Sequence, residues 1–366
     1  MLKITEIISR IRQIPTVTAV VGGFCLLFFA VGMVVGAPVS ASISATLANF
    51  GMWGLFALAM VPTIRAGIGP NFALPVGAIS GTCAMVLTAH MDFTSASFLL
   101  VSAIFAILFG CIMGYICGKL INAAPGYEMV VGLFIGFAVL ILLVTIFTSI
   151  PEHRLIPPHS IRVFIHTRRW WIDLCHFDVA HMLAEFWQFE ILGVTFRTGE
   201  LMVVFTVALV MWIFFKTKAG MGMTAAGSNP AFAKVNGTNV KRNKIAAMMA
   251  STTLGAFGSI VHASNIRAVM LIEWPMFIGV FAAAAIFAGG ATLHRASIKN
   301  AIIGVLLLQG VEVIPSSVFR EIFQDSYSRS MFESIPYVTL SAIRPMIILI
   351  VLIKGNSFKF RREHDL

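Results

Sequence analysis

The chain has 366 residues, 58% of them hydrophobic and only 11% charged, with a formal net charge of +10 and a mean hydropathy of +0.91. Soluble domains carry about 25% charged residues, so this chain lacks the polar surface to cover a globule in water, and its solvent is lipid. The basic residues recur at the ends of apolar runs and are not pooled on one soluble module, which argues against a nucleic-acid partner and reads as a membrane-topology signal.

Residues 1–15 interleave Ile4, Ile7, Ile8, Ile11 and Ile14 with Lys3, Arg10 and Arg12. That spacing predicts an amphipathic helix on the inner membrane surface, or a partner-binding helix, and not a cleavable signal. Ten apolar spans follow at about 17–37, 47–65, 71–90, 96–120, 128–150, 199–216, 244–263, 275–292, 300–316 and 336–354. Each is close to the roughly 17 to 25 residues that a bilayer demands. The expected fold is an all-α integral membrane protein of about ten transmembrane helices, with one membrane domain over 1–366. With the N-terminus inside, Lys and Arg on inner segments outnumber those on outer ones by about two to one, which places both termini, including the tail 355–366, in the cytoplasm. Cys25, Cys83, Cys111 and Cys117 fall in apolar runs and Cys175 is alone in a loop, so no disulfide is implied.

The segment 63–77, TIRAGIGPNFALPVG, aligns without gaps on 265–279, NIRAVMLIEWPMFIG. Ile64, Arg65, Ala66 and Gly77 match Ile266, Arg267, Ala268 and Gly279; Asn71 faces Glu273 and Phe72 faces Trp274. One copy begins at the inner face and the other at the outer face, the relation of an inverted internal repeat; chance similarity of two apolar segments is the alternative. Transport sites gather at such repeat interfaces, so Asn71, Phe72, Glu273 and Trp274 are candidates for the substrate pathway, against ordinary helix packing.

The extracytoplasmic loop 151–198 holds His153, His159, His166, His176 and His181, whose spacing is not diagnostic of a metal site. Its Trp170, Trp171, Phe186, Trp187 and Phe189 suit an interfacial anchor at headgroup depth, with a plain solvated loop as the alternative. The cytoplasmic loop 217–243 is a polar, basic island, and within it GSNPAFAKVNG reads as one short helix with both ends marked. Asn229 suits the N-cap, Pro230 the first helical position and Gly237 the left-handed stop. A helix of two turns or fewer is not stable alone, so it reads as a knob that docks on another protein.

Glu312 in the ninth span and Arg344 in the tenth lie toward the outer half. A charge at a helix centre costs about 2.5–3.5 kcal/mol on insertion scales, so the two are expected to form an intramembrane ion pair, or else to line the substrate path. GxxxxGK[ST], HExxH and GxSxG are absent, which leaves no nucleotide-binding, metalloprotease or hydrolase signature.

TKAGMGMTAAGSNPAFAKVNGTNVKRNKI resembles the cytoplasmic loop of bacterial ABC-importer permeases of the ribose/galactose (simple sugar) and branched-chain amino acid type. Those loops read T-x-x-G-x-x-x-x-A-x-G-x-N-x-x-x-A-x-x-x-G-I-N-V-x-x-x-K. Thr217, Gly220, Ala225, Gly227, Asn229, Ala233, Gly237, Asn239, Val240 and Lys244 fall on the pattern, and Thr238 replaces the Ile. The resemblance implies a pore-forming subunit in a bacterial inner membrane, paired with a second permease copy or homologue. It further implies two ATP-binding-cassette domains on the cytoplasmic side and a periplasmic or lipid-anchored solute-binding protein. ATP and Mg would then sit on the partner ATPase subunits, with no cofactor and no catalytic residue in this chain. Asn229, Pro230, Ala233, Lys234 and Gly237 would form the ATPase-coupling helix. Sugar permeases of this type carry G-I-D-L-S-V-G near the third span. Here 71–77 reads NFALPVG, with Ala73 at the acidic position, and a simple sugar or sugar-like compound is the leading solute. The competing class is an ion-coupled secondary transporter, which also uses inverted repeats.

Overall fold

The computed structural model describes residues 15–91, 93, 95–149, 171–174, 183, 186–266, 268–270 and 273–323. Their helices are α1 (Thr16–Val35), α2 (Val39–Arg65), α3 (Leu74–Ala89), α4 (Ser95–Asn122), α5 (Glu128–Ser149), α6 (Thr198–Lys216), α7 (Lys218–Ser228), α8 (Pro230–Val235), α9 (Val240–Ile266), α10 (Glu273–Ala288) and α11 (Ile298–Phe323). Four short strands accompany them: β1 (Trp171–Asp173), β2 (Gln188–Ile191), β3 (Val194–Arg197) and β4 (Ala268–Met270). Seven helices are long and apolar enough to cross a membrane, while α3 and α10 fall short at 16 residues each. The expected tenth span at 336–354, the helix at 1–15 (but for Pro15) and the tail at 355–366 lie outside the described residues.

Several helices are longer than their apolar runs. α2 starts at Val39, not near 47, because its serines and threonine bond back along the helix. Ser42, Ser44 and Thr46 donate to the carbonyls of Pro38, Ser40 and Ser42 at 3.1, 2.9 and 2.8 Å. A hydroxyl satisfied in this way does not break a membrane helix. Ser42 then meets Ser317 across the α2–α11 contact, with oxygens 2.8 Å apart.

The corners sort into two ends. At one, Arg65 donates to the Ala296 carbonyl at 3.0 Å, Lys244 pairs with Glu128 at 2.8 Å, and Asn122 donates to the Lys241 carbonyl at 2.9 Å. This basic end also carries α7 and α8. At the other, the Thr195 N–H donates to Ser44 at 2.8 Å, Arg197 donates to Asn265 at 3.3 Å, and β1 pairs antiparallel with β4. α2 therefore runs toward the basic end and α9 away from it.

Those two helices anchor the repeat. Each has 27 residues, and within nine residues of the end of each a 16-residue helix begins, α3 or α10. α2 packs on α11 as α9 packs on α4, and α3 meets α4 as α10 meets α11. Two units of like build, entered from opposite ends, are an inverted repeat.

α4 reaches α9 through Gly110, Gly114 and Gly118, one turn apart. A Cβ at those glycines would stand 2.7, 2.6 and 3.0 Å from the Cα atoms of Thr253, Met249 and Ile245. Small residues at this spacing let membrane helices touch backbone to backbone. Gly114→Leu is expected to cost about 3 kcal/mol by forcing the helices apart, read as a lower thermal midpoint in detergent. An unchanged midpoint would contradict so close a crossing.

Candidate functional site

Two features stand out, one at the basic end and one at the seam between the repeats. α8 is built by local chemistry. Asn229 Oδ1 accepts the Phe232 N–H at 3.0 Å, and Pro230 takes the first helical position. Gly237 (φ +74) ends the element; its N–H bonds to the Lys234 carbonyl at 3.1 Å and that of Thr238 to the Ala233 carbonyl at 2.9 Å. That double closure is a Schellman stop, which needs a left-handed residue. The underside of the helix is Ala233, 1% exposed, toward α7 and α9. Its outer side shows Lys234, Phe232 (63% exposed) and Val235 (87% exposed). The six-residue helix thus presents two bare apolar side chains beside a lysine at the basic end.

Ahead of α8 lies α7, which reading the sequence as one helix in a polar island missed. Thr217 caps it, accepting the Gly220 N–H at 3.3 Å. Its glycines conceal it, since glycine disfavours helix interiors, but they serve packing. Gly220 lies against the Phe214 backbone and Gly227 against Arg65 and Gly67.

At the seam, α2 stops at a left-handed Gly67 (φ +75), with N–H bonds from Gly67 to Ile64 and from Ile68 to Thr63 at 3.1 and 3.0 Å. The stretch 66–73 then turns back into the protein, and all of it but Gly67 and Phe72 is buried. Irregular backbone survives at membrane depth only when enclosed this way. Asn71 fastens it, donating from Nδ2 to Ser251 on α9 at 2.8 Å and accepting the Ala73 N–H on Oδ1 at 3.0 Å. Its own N–H meets the Met60 sulfur at 3.1 Å. Asn71 is thus a cross-repeat clasp, 2% exposed, with both its side-chain nitrogen and oxygen engaged within the protein. Phe72 is half-buried, and its backbone lies against Gly136 on α5 and Gly279 on α10. Glu273 and Trp274 open α10, on which Gly279 stands more than a turn further along; the side chains of these two lie outside the described residues.

An aromatic group that the sequence did not single out joins α2, α9 and α10. Trp53 of α2 packs on Phe281 of α10 with ring centroids 4.0 Å apart and on His262 of α9 at 5.1 Å, edge to face. A buried histidine in an apolar run was the available signal. Nearby, Glu200 at the start of α6 is fully buried beneath Gly51 and accepts from Asn265. Arg197 reaches the same Asn265, so α6 and α9 are tied at the far end. Glu312 is half-buried on α11; Arg344, its expected partner, lies outside the described residues. So do the loop histidines, and no group of metal-binding side chains occurs among the described residues. Phe186, Trp187 and Phe189 are exposed on and beside the β2–β3 hairpin.

A family model described as the branched-chain amino acid transport system permease component matches residues 42–352. The chain belongs to that permease family. It is a multi-pass membrane protein and the permease component of a transport system. The galactose/methyl galactoside import permease protein MglC of Haemophilus influenzae is 43% identical over 60 residues, which is 16% of this chain and 18% of that one. The match thus spans less than a fifth of the relative's length. No solved structure matches the chain.

Proposed function

We propose that this permease is the transmembrane subunit of an ATP-binding-cassette importer for a small polar solute, a simple sugar or sugar-like compound. The observation that carries this reading is α8, a doubly capped helix at the basic end with Phe232 and Val235 bare to solvent. In this reading the basic end faces the cytoplasm of a bacterium, across its inner membrane, because Lys and Arg concentrate there. Two ATP-binding-cassette domains, carrying ATP and Mg, grip α8 on this chain and on a second permease copy or homologue. An extracytoplasmic binding protein delivers solute to the opposite end. Alternating access then moves the enclosed stretch 66–73 and α10, on whose Phe281 the Trp53 ring packs beside His262.

The test is reconstitution of the chain into proteoliposomes with a candidate ATP-binding-cassette ATPase and solute-binding protein from the same organism, offered D-galactose and D-ribose. Uptake of a sugar that requires MgATP supports the proposal. Sugar accumulation by the chain alone, driven by an ion gradient, overturns it.

A further inference from the structure

α7 bears on the corner where α2 breaks, with no side chain in between. A Cβ at Gly227 would stand 2.0 Å from the Arg65 carbonyl oxygen and 2.5 Å from the Gly67 nitrogen. From the other side, a Cβ at Gly67 would stand 2.9 Å from the Gly227 Cα. Two backbones in contact have no rotamer with which to absorb a displacement, and close-packed interiors transmit strain. The same corner is held by Arg65, whose Nε donates to Ala296 and whose guanidinium lies 4.1 Å from the Phe215 ring centroid.

The link from α7 to α8 is equally short. Asn229 closes α7, its N–H bonding to the Ala225 carbonyl at 3.1 Å, and its side chain opens α8. A single residue serves as the last cap of one helix and the first cap of the next, so no linker separates the two. Beyond Gly67 the chain runs through Ile68 and Gly69 to the clasp of Asn71 on Ser251. The path from the exposed helix to the seam is therefore contiguous: α8, Asn229, α7, Gly227, Gly67, then 68–71.

We infer that the Gly227–Gly67 contact is the joint that carries displacement of α8 into the stretch 66–73 and so to the repeat seam. Both glycines are positioning residues: neither touches solute, and the role rests on the reading of α8 as the ATPase contact. A joint of two glycines suits such a task. One, Gly67, is needed for its left-handed backbone, the other for an approach that leaves no room for a methyl group.

The test needs no knowledge of the solute. Phe72→Cys is introduced into the chain with its native cysteines removed, in complex with the partner ATPase. Alkylation by N-ethylmaleimide is then timed without nucleotide and after vanadate trapping with MgATP. The expected result is at least a tenfold change in rate on trapping, reduced to under twofold by Gly227→Ala. Gly222→Ala is the matched control on the same helix, where the nearest atom to an added Cβ is 3.7 Å away; it keeps the tenfold change. A change on trapping that survives Gly227→Ala overturns the joint, as does the absence of any change in the Phe72→Cys background. A merely structural glycine would lower stability without altering the ratio of the two rates. Should Gly227→Ala fail to insert, Asn229→Gly replaces it. Glycine is itself an accepted N-cap but loosens the link, and an undiminished ratio there overturns the joint. Co-purification of the ATPase is scored in parallel: its failure with the otherwise native chain removes the reading of α8 itself, whatever the rates show.

Discussion

Ala233→Glu is expected to abolish ATP-driven uptake, by at least about 100-fold, while the chain inserts at normal levels. Ala233 is 1% exposed under α8, so a carboxylate there is either buried without a partner or levers the helix off its seat. Stripping a charge of water costs several kcal/mol, more than a six-residue helix can hold against. Its caps contribute about 1 kcal/mol each, and so short a helix has little stability of its own. The bundle is untouched, because α8 contributes almost nothing to the apolar core. A loss of about 3 kcal/mol at the docking surface corresponds to about 100-fold in affinity. Phe232→Ala and Val235→Ala, both on the exposed side, keep the helix and remove only its contact area. Each is expected to weaken ATPase co-purification roughly ten- to a hundredfold, at about 1.5–3 kcal/mol for a fully buried side chain of this kind. Normal sugar-stimulated ATPase activity in Ala233→Glu would remove α8 from the mechanism.

Asn71→Leu is expected to lower stability by about 2–6 kcal/mol and to collapse transport along with it. The substitution leaves the Ser251 hydroxyl and the Ala73 N–H without their partner in a buried site, and each orphan costs about 1–3 kcal/mol. The clasp also joins the two repeats, so its loss frees 66–73 from α9. Ser251→Ala alone removes one partner of the same bond. In Asn71→Leu/Ser251→Ala one orphan disappears, so the double variant is expected to be more stable than the sum of the singles by about 1 kcal/mol or more. Thermal unfolding in detergent reads all three. Additive losses would mean that Asn71 and Ser251 do not share a bond. A large fall in uptake with unchanged stability would instead mark Asn71 as a solute contact, as its place in the repeat first suggested.

The exit of α2 shows why that distinction could not be read from the residues. TIRAGIGPNFALPVG contains glycines, two prolines and an asparagine in an apolar run, a composition equally consistent with a loop at the surface and with a turn sunk in the protein. Only the neighbours separate the two. Met60, Ser251, Gly136 and Gly279 come from four different helices, and no local pattern announces that they converge. The length of α3 follows from the same fact: it shares its passage with the irregular stretch 66–73, so the apolar run counted as a full span yields only 16 residues of helix. The start of α2 went the other way, since its serines look like a break until their hydroxyls are seen to bond within the helix.

What the chain's residues determined alone was everything set by composition or by contacts a few positions apart. The lipid solvent follows from too few charges to cover a globule. α8 was legible to the residue, because Asn229, Pro230 and Gly237 act on backbone groups within five residues of themselves. The repeat was legible because two distant segments carry one pattern. Tertiary structure alone decided that α7 is a helix despite its glycines, that Asn71 is a clasp, that Trp53, His262 and Phe281 meet, and that Gly227 rests on Gly67. Each of these is a contact between residues far apart in the chain, where the energy lies in the fit of two surfaces and neither surface specifies the other.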